Sequence, residues 1–421
     1  MGELSLTAEI AIINRSGIAV AADSAATIGR KKVWKSANKL FSLGPMHDIG
    51  VMFYGSADLF GCHWEIIVKQ FREVICKERF ETVADVTERF LKYISLPQWR
   101  DDRAMQISEA HLIAMCIETI NEEISYDSVM EFRSEIKREC GELIAGLQSN
   151  PVTTAITKKL FSSRNRGIIK KFAEEIFKQK PVKTVIDPVE DYIYEFCRRE
   201  ENRSGFESGV VFFGYGDDEI YPSLHELMID GAVCDTVRTW SRRRLNLNSD
   251  RNHKGAIIPF AQTDVAALFM EGISPMYATF FTSAVESVLT IKDKSNANRV
   301  PEEERVVENA LRDKENSAIL DELGKAFNAM RQTEVVAPVI ESIHSLPRDE
   351  MAGMAEAFVE LTSMRRKVDS HLDTVGGAVD VAVISKGEGF VWIKRKTYFD
   401  AAANGDYLTR RQFRLSQGND S

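Results

Sequence analysis

Three residues near the start of the chain, Thr7, Asp23 and Lys39, are of types that support nucleophilic catalysis, and they follow one another at intervals of sixteen residues. A threonine hydroxyl is a weak nucleophile that needs an adjacent base. A lysine ammonium lowers the pKa of a neighbouring hydroxyl, and an aspartate holds that ammonium through a charge-assisted hydrogen bond. Considered one at a time, the three are better explained as a strand threonine, a turn acid and a surface lysine.

The segments around these residues have strand and helix patterns. Short apolar runs predict a hairpin over 9–13 and 18–22, with a turn in which Gly17 is free to take a positive φ. Residues 60–74 and 83–94 have helical spacing, with Thr82 as the N-cap of the second helix. The other predicted strands are short runs bounded by turn residues, at 39–43, 49–54, 209–213, 219–224, 255–260, 378–384 and 390–393.

Two long stretches, 98–204 and 291–344, are charged and helical in pattern, which favours helical insertions. The elements outside them predict an α+β fold whose helices cover the outer faces of two facing sheets. We therefore divide the rest of the chain into three core segments and a polar tail, at 7–97, 205–290, 345–405 and 406–421.

The segment from Thr7 to Lys39, with its block Ala21-Ala22-Asp23-Ser24-Ala25-Ala26-Thr27, resembles the start of proteasome β-subunits and their bacterial relatives. These are N-terminal nucleophile (Ntn) hydrolases, in which a mature N-terminal threonine precedes an aspartate by sixteen residues and a lysine by thirty-two. Three further segments also resemble the family. Residues 49–58 resemble its glycine loop, 209–215 the strand after the first helix pair, and 375–379 the small-residue turn before the last strands.

This resemblance implies a four-layer αββα sandwich and a threonine peptidase or amidohydrolase that needs no cofactor. Removal of residues 1–6 would free the α-amine of Thr7 to act as its base. Lys39 would tune both groups, Asp23 would orient Lys39, and the backbone at Tyr54 and Gly55 would bind the oxyanion.

Substrate-binding residues and partners are also implied by the resemblance. By family position, Thr27 would pair with the substrate backbone, while Ala26, Ala37 and Met52 would shape an apolar pocket. Family members form rings and often work with an ATPase. We therefore expect a peptide or protein substrate, a homo-oligomer and an ATPase partner.

The sequence departs from the family pattern at several positions. Leu6 replaces the glycine that usually precedes the nucleophile, and Tyr54 stands where the family has its oxyanion glycine. The supporting serine and aspartate positions are occupied by Gln262, Leu372 and Val375. Two alternatives therefore stay open: a non-catalytic scaffold or binding protein that uses the helical insertions, and an amidohydrolase that acts on a small molecule.

Composition limits the class of protein further. The 421 residues carry 63 acidic and 54 Lys or Arg side chains, a net charge of −9, and 44% of them are hydrophobic. This is the composition of a globular protein, and its acidity makes nucleic-acid binding unlikely. Six cysteines without a CxxC pair and the lack of a signal peptide or of a long apolar run predict a cytoplasmic protein with no membrane segment.

Two minor patterns complete the sequence reading. The seven histidines lack paired spacing, so we expect no metal site. The clusters Arg242-Arg243-Arg244 and Lys394-Arg395-Lys396 are interpreted as solvated surface.

Overall fold

The structure is a computed structural model. It describes residues 8–28, 32–34, 37–152, 156–179, 182–249, 254–261, 263–297, 305–369, 377–397 and 399–400, together with Asn404, Asp406 and Thr409.

The described strands are short and come mainly in hairpins. They are β1 (Glu9–Asn14), β2 (Gly17–Ala22), β3 (Ala26–Ile28), β4 (Lys32–Trp34), β5 (Leu40–Ser42), β6 (Ile49–Gly55), β7 (Asp58–Leu59), β8 (Cys62–His63), β9 (Ser208–Gly214), β10 (Ser223–Val233), β11 (Thr236–Asn246), β12 (Gly255–Pro259), β13 (Asp380–Ser385) and β14 (Gly389–Lys394).

The described helices fall between these groups of strands. They are α1 (Trp64–Val74), α2 (Val83–Ile94), α3 (Asp102–Glu123), α4 (Val129–Leu147), α5 (Lys158–Phe177), α6 (Lys183–Arg198), α7 (Asp264–Glu271), α8 (Pro275–Ala297), α9 (Arg305–Arg331), α10 (Ala337–Ser345) and α11 (Arg348–Asp369). The predicted N-cap is confirmed, because Thr82 and Asp85 form a capping box at the start of α2.

Two five-stranded antiparallel sheets form the core. The first sheet has the order β12-β1-β2-β13-β14, and the second has the order β11-β10-β9-β6-β5. With helices packed against both sheets, the predicted α+β class is confirmed. The division of the chain into core segments and insertions stays a prediction.

Each sheet buries both of its faces. Ala11 and Ile13 of β1 point into one apolar cluster with residues of the second sheet such as Met52 and Phe213. Ile10 and Ile12 point the other way, into a cluster with α10 and α11. Successive side chains of a strand alternate between faces, which explains why every residue of β1 and β2 is buried.

The other face of the second sheet packs on α1 and α2. Val51 and Phe53 of β6 and Phe212 of β9 share a cluster with Phe71 of α1 and Phe90 of α2. This cluster includes several aromatic pairs, such as the edge-to-face contact of Phe90 with Phe212, whose ring centroids are 5.1 Å apart. The helix periodicity of 64–74 and 83–94 therefore reflects burial against a sheet. The first helix begins at Trp64 and not at the predicted Phe60, because residues 58–63 form the β7–β8 hairpin.

The long hairpin of β10 and β11 differs from the sequence prediction, which placed the partner of β9 at 219–224. The partner is β10, and β10 turns directly into β11 through Cys234 and Asp235. Both residues have positive φ, at 50° and 61°. A two-residue turn of this kind is normally marked by glycine or asparagine, so the sequence carried no turn signal here.

Helices α3 to α6 have an apolar cluster of their own, which extends to Val233 and Cys234 at the tip of that hairpin. The Cys234 amide donates to Glu109 of α3 at 3.1 Å, and Arg164 of α5 forms an ion pair with Asp235 at 2.5 Å. These contacts stabilise the positive-φ turn from outside. None of the described helices is long and apolar enough to cross a lipid bilayer.

Candidate active site at the lysine-carboxylate cluster

Asp23 is placed by the first hairpin. Glu9 pairs with Ala22 at the open end of β1 and β2, so Asp23 lies beside Ala8. The Asp23 amide donates to the Ala8 carbonyl at 3.0 Å, and the Ala8 amide donates to Oδ1 of Asp23 at 3.3 Å. The carboxylate is therefore fixed at the residue that follows Thr7 in the chain.

Lys39 approaches from the second sheet. It directly precedes β5, and its carbonyl accepts a hydrogen bond from the Phe53 amide of β6 at 2.9 Å. Its Nζ lies 2.5 Å from Oδ1 of Asp23, so the predicted pairing of these two residues is present. The ion pair joins the two sheets.

Glu9 is a third member of this cluster, and the sequence analysis did not single it out. Its Oε1 lies 2.9 Å from Nζ of Lys39, so one ammonium serves two carboxylates. A signal was available, because Glu9 is an acid within an otherwise apolar strand, and a buried charge requires a partner. The signal was ambiguous because Glu9 is the first residue of the strand, where an acidic side chain can also be exposed to solvent.

Burial gives this cluster its electrostatic character. Glu9, Asp23 and Lys39 are 2%, 1% and 7% exposed. Burial by itself lowers the pKa of Lys39, but the charges and hydrogen bonds of Glu9 and Asp23 outweigh it and raise the pKa above the ordinary 10.5. Lys39 is therefore a fixed positive charge at neutral pH, and it does not act as a base there.

Several predicted residues lie outside the described part of the chain. These are the nucleophile Thr7 and the departures Leu6, Gln262, Leu372 and Val375. Ala26 and Thr27 belong to β3, whose backbone pairs with β4. Ala37 is half-buried, and its amide donates to the Ser24 carbonyl at 3.0 Å. The substrate-binding roles assigned to Ala26, Thr27 and Ala37 stay predictions.

Met52 and Gly55 are both on β6, next to Lys39. Met52 pairs with Leu40 and is fully buried between the sheets, so its predicted role in a pocket also stays a prediction. Gly55 has φ +85°, and a Cβ there would lie 2.3 Å from the Glu207 carbonyl oxygen. Only glycine fits this position, which ends the strand.

Tyr54 extends across the second sheet. Its ring lies over Gly209 of β9, and its hydroxyl donates a short hydrogen bond to Glu226 of β10. Arg242 of β11 donates to both groups, at 3.1 Å to the Tyr54 hydroxyl and 3.0 Å to Oε1 of Glu226. Burial and the neighbouring Glu226 raise the pKa of Tyr54, so the phenol stays neutral and can donate.

A β-bulge explains why two arginines reach the same carboxylate. Glu226 pairs with Arg243 and Leu227 pairs with Ser241, which leaves Arg242 as the extra residue of β11. Glu226 is fully buried, and Nε of Arg243 lies 3.6 Å from its Oε2. Arg242 and Arg243 therefore keep contact with solvent, as predicted, but both also pair with a buried carboxylate, which the sequence analysis did not predict.

The Tyr54 network adjoins the lysine cluster. The Tyr54 ring packs against Phe260, with ring centroids 5.8 Å apart, and the Phe260 amide donates to the Glu9 carbonyl at 3.0 Å. By contrast, a concavity of about 600 Å³ lies at the other end of β1 and β2, near Ser16 and Arg348. The lysine cluster is the candidate site that we pursue, because the concavity lacks a comparable set of buried charges.

Comparisons with known proteins add little to this geometry. No protein-family model matches the chain, and no curated protein sequence matches it. Among solved structures, the chain is similar to Anbu (ancestral beta-subunit) from Yersinia bercovieri, with 9% sequence identity, a TM-score of 0.32 and 97% of each chain covered. A likeness of this size does not establish an activity.

Within the described residues, no group of three or more His, Cys, Asp and Glu side chains is arranged to hold a metal ion.

Replacing Lys39 by methionine should strongly destabilise the fold. The change leaves Glu9 and Asp23 buried without a cation, and breaking a buried ion pair in this way costs about 3–5 kcal/mol. Lys69→Met is the matched control, because Lys69 forms only an exposed pair with Glu65 and should cost less than about 1 kcal/mol. Urea unfolding at pH 7 measures both free energies.

The pH dependence checks the same interaction. The raised pKa of Lys39 means that its contribution to stability is fully present below about pH 10.5 and is lost as the pH rises through the higher folded-state value. The destabilisation by Lys39→Met should therefore shrink above that pH. Equal effects of the Lys39 and Lys69 variants, or a pH-independent difference, would show that the cluster does not hold the sheets together.

Gly209→Ala should displace the Tyr54 ring. The new Cβ would lie 1.9 Å from Cζ of Tyr54, and that ring cannot move freely because Glu226 and Arg242 hold its hydroxyl. We expect a loss of about 1–3 kcal/mol in the free energy of unfolding. Gly353→Ala on α11, where nothing lies within 4 Å, should be neutral or slightly stabilising. Identical urea midpoints for the two variants would contradict the described position of Tyr54.

Proposed function

We propose that the chain is an Ntn hydrolase with the four-layer αββα sandwich, and that it hydrolyses amide bonds in peptides with Thr7 as its nucleophile. The observation that carries this proposal is the buried ion pair of Lys39 with Asp23 at the Ala8 amide. The nitrogen of Ala8 is bonded to the carbonyl carbon of Thr7. Asp23 thus accepts a hydrogen bond from the N–H of the peptide group that joins Thr7 to Ala8.

The positive charge of Lys39 supports separate roles for Lys39 and for the α-amine of Thr7. Because its pKa is raised, Lys39 supplies a positive charge that favours the alkoxide of Thr7 and disfavours protonation of a neighbouring amine. The base is then the α-amine of Thr7, whose ordinary pKa near 8 suits proton transfer at neutral pH. This role requires removal of residues 1–6, since a peptide nitrogen cannot accept the proton.

The proposed reaction proceeds in two stages. The Thr7 hydroxyl oxygen attacks the amide carbon while its proton moves to the α-amine, and the C–N bond breaks as the leaving amine takes that proton. Water then attacks the ester carbon and gives a proton to the α-amine; the bond from that carbon to the Thr7 oxygen breaks, and the α-amine returns the proton to this oxygen as the acid leaves. Each stage passes through a tetrahedral oxyanion.

Gly55 is the better of the two proposed oxyanion donors. The N–H groups of a strand alternate between its two edges, and the Phe53 N–H points to the Lys39 carbonyl. The N–H of Gly55 therefore leaves β6 on the Lys39 side, whereas that of Tyr54 faces β9. Tyr54 contributes by fixing the strand through Glu226 and Arg242.

The second carboxylate on Lys39 favours one alternative function. With both Glu9 and Asp23 ionised, the cluster carries a formal charge of −1, which weakens the pull of Lys39 on a nearby hydroxyl. This observation supports a non-catalytic member of the same fold that binds partners through its helical insertions. The cytoplasmic location, the homo-oligomer and the ATPase partner are proposed with either function.

Processing of the N-terminus separates these two functions. For the hydrolase, the intact mass of purified protein should correspond to loss of residues 1–6, and Thr7→Ala should retain them because the hydroxyl performs the cleavage. Ser5→Ala is the matched control and should be processed like the wild type. A full-length wild-type chain would exclude the autocatalytic mechanism.

Peptide hydrolysis tests the chemistry itself. With a panel of fluorogenic peptide amides, Thr7→Ala should abolish turnover, and Lys39→Met should lower kcat at least about a hundredfold because a preorganised charge is removed. Lys69→Met should stay within twofold of the wild type, and circular dichroism must show that each variant is folded. Turnover that persists in folded Thr7→Ala would refute the assigned nucleophile, while a processed but inactive wild type would refute the peptide substrate.

A further inference from the structure

An apolar stripe runs along α8 and faces solvent in the described structure. Its six members are large hydrophobic side chains, each between 51% and 70% exposed: Met276, Tyr277, Phe280, Phe281, Val288 and Ile291. At about 100° per residue, they fall within an arc of roughly 140° on one side of the helix. We call these six residues the α8 stripe.

The neighbours of α8 leave this side open. Helices α7 and α9 contact α8, and Val285 and Leu289, which lie outside the arc, are partly buried. Helix α9 adds further exposed apolar residues at Ile319, Leu323 and Met330. The α8 stripe is therefore a second apolar face, separate from the side that is already packed.

The size of the stripe matches a protein interface. If a fully exposed large apolar side chain presents roughly 150–200 Å², six side chains at these exposures present roughly 570–760 Å². Stable protein interfaces bury about 800 Å² on each partner. Isolated exposed hydrophobic residues are ordinary, but a continuous patch of this area is typical of an interaction site.

The charge of the two helices favours a second copy of this chain as the partner. Helix α8 carries two basic and two acidic side chains, and α9 carries five of each, so both helices are neutral in a chain of net charge −9. Two copies can therefore approach through this surface without the repulsion that their acidic remainder would cause. Between residues 275 and 291 the only charge is Glu286.

Helix packing favours the same partner. Helices α8 and α9 contact each other and are separated by only seven residues, and a pair of helices cannot enclose a core on its own. Two such pairs form a four-helix bundle, which buries the remaining apolar face of each pair. A twofold axis lets the same surface serve both copies.

We propose that the α8 stripe is a self-association surface through which two copies of this chain pair by their α8–α9 helices. The proposal does not depend on hydrolase activity. Helices α8 and α9 contribute no residue to the lysine cluster, so the interface and the candidate active site can be tested separately.

The test measures molar mass by light scattering after size exclusion, with the full chain at about 20 μM. The wild type should have the mass of two chains, and the double variant Phe280→Glu/Phe281→Glu should have half that mass, because the stripe joins copies in pairs. Met130→Glu is the matched control, since Met130 is 79% exposed on α4, and it should keep the wild-type mass.

A second variant protects against a folding artefact. Tyr277→Lys/Val288→Lys alters the same stripe at other positions and should also halve the mass, while the circular dichroism spectra of both double variants match that of the wild type. A wild-type chain that is monomeric at this concentration would overturn the proposal and point to a different occupant. An unchanged mass in either folded double variant would overturn it as well.

Discussion

The arrangement of the core depends on the ion pairs that the buried ammonium of Lys39 forms with Asp23 and Glu9. Glu9 lies in the first sheet, Asp23 directly follows a strand of that sheet, and Lys39 directly precedes a strand of the second, so the ion pairs cross the boundary between the sheets. The side chains packed between the two sheets around these ion pairs are apolar. This surrounding strengthens the attraction between the charges and makes an unpaired buried charge strongly destabilising. The two sheets are therefore held in one relative position at the end of the sandwich where the chain begins.

The Tyr54 network provides a second polar contact in the same region. A purely apolar layer tolerates small shifts, whereas a shift of one residue would separate Glu226 from Tyr54 and Arg242 and leave a buried carboxylate unpaired. Gly209 makes this network possible by leaving room for the Tyr54 ring. The glycine is thus selected by a side chain on the neighbouring strand and not by its own backbone conformation.

Two groups of helices, α3 to α6 and α8 to α9, differ in how their apolar side chains are covered. Helices α3 to α6 enclose their own apolar cluster and contact the tip of the β10–β11 hairpin through Glu109 and Arg164. Helices α8 and α9 leave large apolar side chains uncovered. Helices α3 to α6 therefore bury their apolar side chains within a single chain. In our proposal, α8 and α9 bury theirs by association with a second copy. This difference arises because four helices can surround a core and two cannot.

By itself, the sequence determined the local structure: the first hairpin, the capped helix α2, the closing hairpin, the α+β class, and the pairing of Asp23 with Lys39 through family spacing. The hairpins, the helix and the fold class follow from periodicity, capping and turn residues, which act between near neighbours, whereas the pairing of Asp23 with Lys39 was predicted from the resemblance alone. Only the tertiary structure decided that Glu9 shares the lysine, that Arg242 and Arg243 turn inward to Glu226 through a bulge, and that Cys234 and Asp235 form a turn. Each of these depends on a partner far away in the chain, whose packing supplies the free energy that makes a buried charge or a positive φ acceptable.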